Sequence, residues 1–185
     1  MISAITYLDN QVLIGLFSAR TTAMVSAMTY VSMFGEWTLI LPLAAAVALV
    51  LFFAKHRAEA LGLLVAVFGS TAVVLALKFV FARERPDAYF RAIAETGASF
   101  PSAHAALSLA FYGFVAYLIL RRYEGGGVRL LAVGGAAALA LAIGFSRLYL
   151  GVHYLSDVVD GFAIGAIFLW LGIAVARHVR NRAAS

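Results

Sequence analysis

A chain of 185 residues in which 64% are hydrophobic and only 12% charged lies outside the range of water-soluble globular domains, and several of its apolar runs reach the length that crosses a bilayer core of about 30 Å. The absence of cysteine excludes disulfides, thiolate metal sites and covalent chemistry through sulfur. The formal net charge of +5 does not point to nucleic acid, because the basic residues sit in loops between oily runs and no basic stripe interleaved with exposed aromatics occurs.

In residues 1–36 the apolar pattern is interrupted by Asp9, Asn10, Gln11, Arg20 and Glu36, and Ser and Thr are scattered through 21–32. This composition suits one or two amphipathic helices lying at the membrane interface, with a sixth span as the alternative. No basic leader region or small-residue cleavage site marks a signal peptide. Five spans follow: Trp37 to Phe53, Leu61 to Phe81, Ser102 to Leu120, Val128 to Phe145, and Val158 to Ala176. Helices satisfy their own backbone in lipid, so the predicted fold is all-α, a polytopic membrane helical bundle forming one domain over 1–185. Within it, 37–176 carries the bundle and 177–185 is a basic tail. Gly125 to Gly127 reads as a turn, and the Gly161 and Gly165 pair suggests close helix packing without fixing an oligomeric state.

Alternation through the five spans places Lys55 and Arg57, then Arg121, Arg122 and Arg129, then Arg177, Arg180 and Arg182 on one side. By the positive-inside rule that side, with the C-terminus, is the cytoplasm. The opposite side receives 83–100 and 146–157, where the polar residues are not merely basic.

Three constellations lie there. In "KFVFARERP", Lys78, Arg83 and Arg85 are read either as cations snorkelling to headgroups or as part of a wet, partnered site. In "SFPSAHAA", Ser102 suits an N-cap, so that the first-turn N–H groups form an anion site beside His104; an interfacial histidine after a simple cap is the bland alternative. In "SRLYLGVHYLSD", His153 and Asp157 are four apart and share a helix face, so the carboxylate can hold one ring nitrogen while the other keeps its lone pair; Arg147 offers a planar fork for phosphate oxygens. A structural His–Asp pair is the alternative. His56 and His178 fall in basic runs and read as solvated surface, while Glu95 and Asp160 read as headgroup or helix-end contacts.

At these residues the sequence resembles the type 2 phosphatidic acid phosphatase (PAP2) superfamily of membrane lipid phosphatases. The family's motifs are matched by Lys78 with Arg85-Pro86, by Pro101-Ser102-Ala103-His104, and by Ser146-Arg147 with His153 and Asp157, over roughly residues 37 to 176. One departure is Ala103, where the family usually has glycine, which suggests a tighter anion pocket or an altered turn. Compared with the many six-span relatives, no full span is expected before the interfacial segment.

The resemblance implies a PAP2/haloperoxidase-like core, a bacterial inner-membrane location with the site facing outward, and a lipid phosphate substrate such as undecaprenyl diphosphate, phosphatidate or phosphatidylglycerol phosphate. It implies His153 as nucleophile, Asp157 as holder of its tautomer and His104 as acid and base, giving a bell-shaped pH dependence. Lys78, Arg85 and Arg147, with Ser102 and the first-turn N–H groups at Ala103, would hold the phosphate oxygens. No metal or other cofactor is expected, because the motif cluster offers one acidic residue and no carboxylates arranged around a hard cation. Two rival functions stand beside this one. A proton or anion transporter would need charged residues at mid-span, which 130–145 and 161–176 lack; a lipid-phosphate binder without turnover is hinted at by Ala103 alone.

Overall fold

The computed structural model describes residues 2–184, with side chains for 4–183. All regular elements among these residues are helical: α1 (Ile2–Ser18), α2 (Thr22–Met33), α3 (Trp37–Phe53), α4 (Arg57–Leu64), α5 (Ser70–Phe81), α6 (Ala103–Arg122), α7 (Gly126–Tyr149) and α8 (Leu155–Ala184). A π-helical turn, Val65–Gly69, joins α4 to α5 without a break. Five stretches are long and apolar enough to cross a membrane: Thr22–Phe53, Arg57–Phe81, Ala103–Arg122, Gly126–Tyr149 and Leu155–Ala183.

Four of the expected spans lie within these stretches, the third begins one residue early at the cap Ser102, and the main difference is at the first. Expected on the interface, α2 instead runs into α3 across a short break at Phe34 to Glu36, so that 22–53 forms one apolar stretch. The hydroxyls that made this segment look polar are satisfied locally. Ser26 Oγ donates to the Thr22 carbonyl at 3.2 Å and Thr29 Oγ1 to that of Val25 at 2.9 Å, which satisfies both donors within their own helix. Only α1 remains a separate N-terminal helix.

The long helix α6 sits at the centre, packed on α7 and α8, with Leu107, Phe111 and Phe114 meeting Ile40 of α3 and Leu63 and Val67 of the α4–α5 helix in the main core. In lipid no hydrophobic force drives helices together, so close backbone approach has to supply the contact. Gly161 and Gly165 provide it where α8 crosses α6: a Cβ at these positions would come within 2.5 Å of the Ser102 carbonyl oxygen and 2.6 Å of that of Ala106. The outside of the bundle is correspondingly oily, with Phe79, Leu131 and Trp170 all exposed.

The two ends of the bundle differ in chemistry. At one, the buried Glu59 of α4 pairs with Arg121 of α6 and with Arg180 of α8 at 3.2 Å, beside the turn that carries Lys55 and Arg57. At the other lie the loop 82–102 and the α7–α8 turn. Gly151 has φ +68 there, and a side chain at it would strike the Phe90 carbonyl. The loop is pinned to this turn by Ala92 N–H donating to the Leu150 carbonyl at 2.9 Å, and its neck is closed by Ser99 N–H on the Arg83 carbonyl at 2.8 Å.

Candidate active site

The start of α6 is built as its sequence foretells. Ser102 is the N-cap, with φ −72 and ψ 111, and its buried hydroxyl accepts the Ala105 N–H at 3.5 Å. Ala103 opens the helix without strain, since among the described residues the non-glycine positive φ values belong to Lys55 and Ala82. The expected cost of losing the family's glycine is therefore absent from the backbone, and the methyl group packs partly against the core. His104 turns its Nε2 to Glu36 Oε1 at 3.1 Å, across the break between α2 and α3.

His153 stands in the turn before α8 and Asp157 in that helix's first turn. Their closest atoms, Nδ1 and Oδ2, are 3.4 Å apart. The carboxylate is held on every side: Oδ2 accepts the Ser99 hydroxyl at 2.5 Å and the Tyr154 N–H at 2.9 Å, and Oδ1 accepts Arg83 Nη1 at 2.7 Å. On the far side of the ring, Arg85 Nη1 lies 3.3 Å from Nε2. A guanidinium can only donate, so Nε2 carries the lone pair and Nδ1 the hydrogen, directed at Asp157. Burial, reinforced by the charges of Arg147 and Arg85, pushes the His153 imidazole down to about 3 against the pull of Asp157.

The cations gather around this ring. Lys78 Nζ donates to the Ala98 carbonyl at 2.5 Å and the Ser99 carbonyl at 3.3 Å, so it is received by the loop and not by headgroups. Arg85 also donates to the carbonyls of Val152, Gly97 and Thr96. Arg147 is 1% exposed, donates through Nη1 to Ser32 at 2.5 Å, and leaves its buried Nε without a partner.

Glu95, expected as a headgroup contact, instead folds inward: one oxygen pairs with Arg147 and the other lies 3.5 Å from Arg85 Nη2. Its carboxylate occupies the place of an anion between the two guanidinium groups. Arg83 likewise meets no lipid phosphate, being shared between Asp157 and Asp9 of α1. Asp160 is exposed, as are His56 and His178.

A cavity of about 450 Å³ collects these groups. Its wall combines the charged and imidazole groups of Glu36, Lys78, Arg85, Glu95, His104, Arg147 and His153 with the apolar side chains of Trp37, Leu41, Val74, Leu75 and Leu107. Ala103 is also in its wall, while Ser102 and Asp157 stand behind it as the cap of α6 and the anchor of His153. All of the motif residues chosen from the sequence thus meet at one end of the bundle.

Three participants went unassigned in the sequence, Asp9, Glu36 and Ser99, and a fourth, Glu95, was given a different role. Asp9 had the clearest signal, a lone acid in an apolar helix, and Ser99 lies two residues before Pro101. The expectation that no carboxylates converge also needs correction. Glu36, Glu95 and His104 place ligand-capable atoms within 4.8 Å of one another, brought there by segments far apart in the chain. Arg147 and Arg85 share this space, and their charge opposes a cation.

With the site in view, comparison with known proteins becomes specific. The family model for the PAP2 superfamily matches residues 59–181. The chain belongs to the PAP2 superfamily. Phosphatidylglycerophosphatase B of Bacillus subtilis (strain 168) is 30% identical over 147 residues, covering 78% of this chain and 71% of the relative. The crystal structure of the transmembrane PAP2-type phosphatidylglycerolphosphate phosphatase from Bacillus subtilis superposes with a TM-score of 0.86 at 25% identity, covering 95% of this chain and 88% of that one. Coverage this complete takes in most of α1 and α2, beyond the region where the motifs lie. Aquifex aeolicus LpxE shares the fold, with a TM-score of 0.71 at 23% identity over 90% of this chain and 95% of that one. The chain is accordingly an integral-membrane phosphatase of the PAP2 type, a hydrolase of the lipid phosphatase family.

Proposed function

We propose that this PAP2 phosphatase removes the terminal phosphate of a membrane lipid through a phosphohistidine on His153, without a metal ion. The observation that carries the reading is the composition of the cavity, whose wall combines Lys78, Arg85, Arg147 and the two histidines with apolar side chains of α3, α5 and α6. A headgroup phosphate suits the cations and histidines, and a lipid chain suits the apolar side chains.

The phosphate would take over Arg147 and Arg85 from Glu95, with Lys78 and the N-terminal dipole of α6 completing the cage. Drawing Arg85 to the phosphate also frees the His153 lone pair. Nε2 then attacks phosphorus, the bond to the lipid oxygen breaks, and His104 supplies that oxygen with a proton. Asp157 carries the resulting imidazolium through Nδ1–H, as Glu36 does for His104. Water, deprotonated by His104, displaces the imidazole from phosphorus and releases inorganic phosphate.

Phosphatidylglycerol phosphate leads the substrate candidates, because the Bacillus subtilis relative and solved structure, each covered over most of its length, are named for it. Polyprenyl diphosphates such as undecaprenyl diphosphate, and phosphatidate, fit the same chemistry. The Glu59, Arg121 and Arg180 end marks the cytoplasmic side of a bacterial inner membrane in this reading, which sets the site on the outer face.

A panel of these lipid phosphates presented to purified protein in detergent, with phosphate release as readout, tests the proposal. Replacing His153 or His104 by alanine is expected to slow release by more than about a hundredfold. Near-normal turnover in either variant would remove that residue from the mechanism.

A further inference from the structure

The N-terminal helix α1 is docked on the catalytic end by more than its apolar face. Leu13 is buried, Leu16 packs with Leu148 and Val158, and beyond the helix Arg20 Nε donates to the Tyr149 carbonyl at 2.8 Å. Between these anchors and the site lies a closed polar chain. Asp9 is 1% exposed. Its Oδ1 accepts the Ser156 N–H at 2.9 Å, and its Oδ2 accepts the Ser156 hydroxyl at 2.7 Å and Arg83 Nη2 at 2.8 Å. Arg83 spans from there to Ser156 Oγ at 2.8 Å and Asp157 Oδ1 at 2.7 Å, with its guanidinium 4.3 Å over the Tyr154 ring.

A carboxylate from α1 therefore satisfies a first-turn N–H of α8, the helix that begins beside His153, and fixes the arginine that grips Asp157. A merely structural pair would not need to end on the one carboxylate that faces the His153 ring. We propose that Asp9, acting through Arg83 and Ser156, is a positioning residue for the phosphatase reaction: α1 helps hold the orientation of Asp157 and so, together with Arg85 on Nε2, the tautomer of His153. This rests on the reading of His153 as nucleophile. Nothing in the α1 sequence is required to touch the substrate; its part is to keep the Nε2 lone pair available.

The test uses the full chain with isotope-labelled histidine, as wild type, Asp9→Asn and Arg83→Gln, with the His153 signal assigned from its loss in His153→Gln. In substrate-free wild type the ring is expected as the Nδ1–H tautomer. Both variants are expected to show a mixture of tautomers, and Asp9→Asn to lower kcat about tenfold while KM stays within about twofold. Unchanged ring spectra in both variants, or a loss confined to KM, would overturn the proposal. Asp9→Asn is nearly isosteric and stands as the decisive variant where Arg83→Gln does not fold. The two readings fail separately: a wild type that releases phosphate from no lipid sinks the proposed function, while the ring spectra still decide the role of α1.

Discussion

His153 is gripped from both sides, by Asp157 on Nδ1 and by Arg85 on Nε2, and its ionisation follows from that confinement. Burial and two guanidinium charges favour the neutral ring, so its titration falls from the ordinary 6.5 to about 3. The sign is that of a depressed base: protonation, which would abolish the nucleophile, sets in only as pH drops toward the lowered value. The bell expected from the sequence therefore loses its acid limb near neutrality insofar as that limb belongs to His153. In an NMR titration of the substrate-free protein, His153 is expected to remain neutral at pH values well below 6.5, and half-protonation near 6.5 would contradict the burial argument. Glu95 poses a separate question, since substrate has to displace it from Arg147 and Arg85. Glu95→Gln is expected to lower KM for the lipid phosphate by about three- to tenfold, because the competing charge is gone; a raised KM would make Glu95 a substrate contact instead. Lys78, Arg85, His104, Arg147, His153 and Asp157 were legible because their spacing survives in the chain itself. Glu95 and Glu36 were not, because the contacts that draw them inward, to Arg147 and to His104, come from partners more than fifty residues away.

Helices converge here through small residues, and the α6–α8 crossing is the joint on which the site depends, because it brings the N-cap of one helix beside the first turn of the other. The Ser102 N–H donates to the Asp157 carbonyl at 2.9 Å across that joint. Gly165→Leu would force the two backbones apart at Ala106, and the expected cost is of the order of 1–3 kcal/mol from overpacking, read as a lowered thermal midpoint in detergent. An unchanged midpoint would show that the crossing tolerates separation. The spans themselves were readable from hydropathy, since lipid leaves the backbone few alternatives to a helix. What misled was α2, where Ser26 and Thr29 count as polar in sequence yet bond their own helix. The π-helical turn Val65–Gly69 left no trace either; a Cβ at Gly69 would come within 2.6 Å of the Phe168 ring, a constraint set by the neighbouring helix and not by local pattern.

As a whole the molecule separates two kinds of charge. Arginines at one end pair with Glu59, and at the other end cations, histidines and carboxylates enclose a cavity. The pattern of basic loops foretold this division, and alternation of the helices delivered it, even though the first apolar stretch is longer than expected. The three carboxylate and imidazole groups of Glu36, Glu95 and His104 make metal dependence a fair question for the intact enzyme. Activity is expected to persist in excess chelator, because Arg147, Arg85 and Lys78 already provide the positive charge that a cation would bring; loss of activity restored by a divalent ion would assign that trio a ligand role. The central claim is that turns distant in sequence meet so that the His153 ring reaches a phosphorus atom. Rapid quenching of the enzyme with a lipid carrying radiolabelled terminal phosphate tests it most directly. Acid-labile, alkali-stable label is expected on wild type and none on His153→Ala; label on another residue, or turnover by His153→Ala at the wild-type rate, would rule out His153 as the nucleophile.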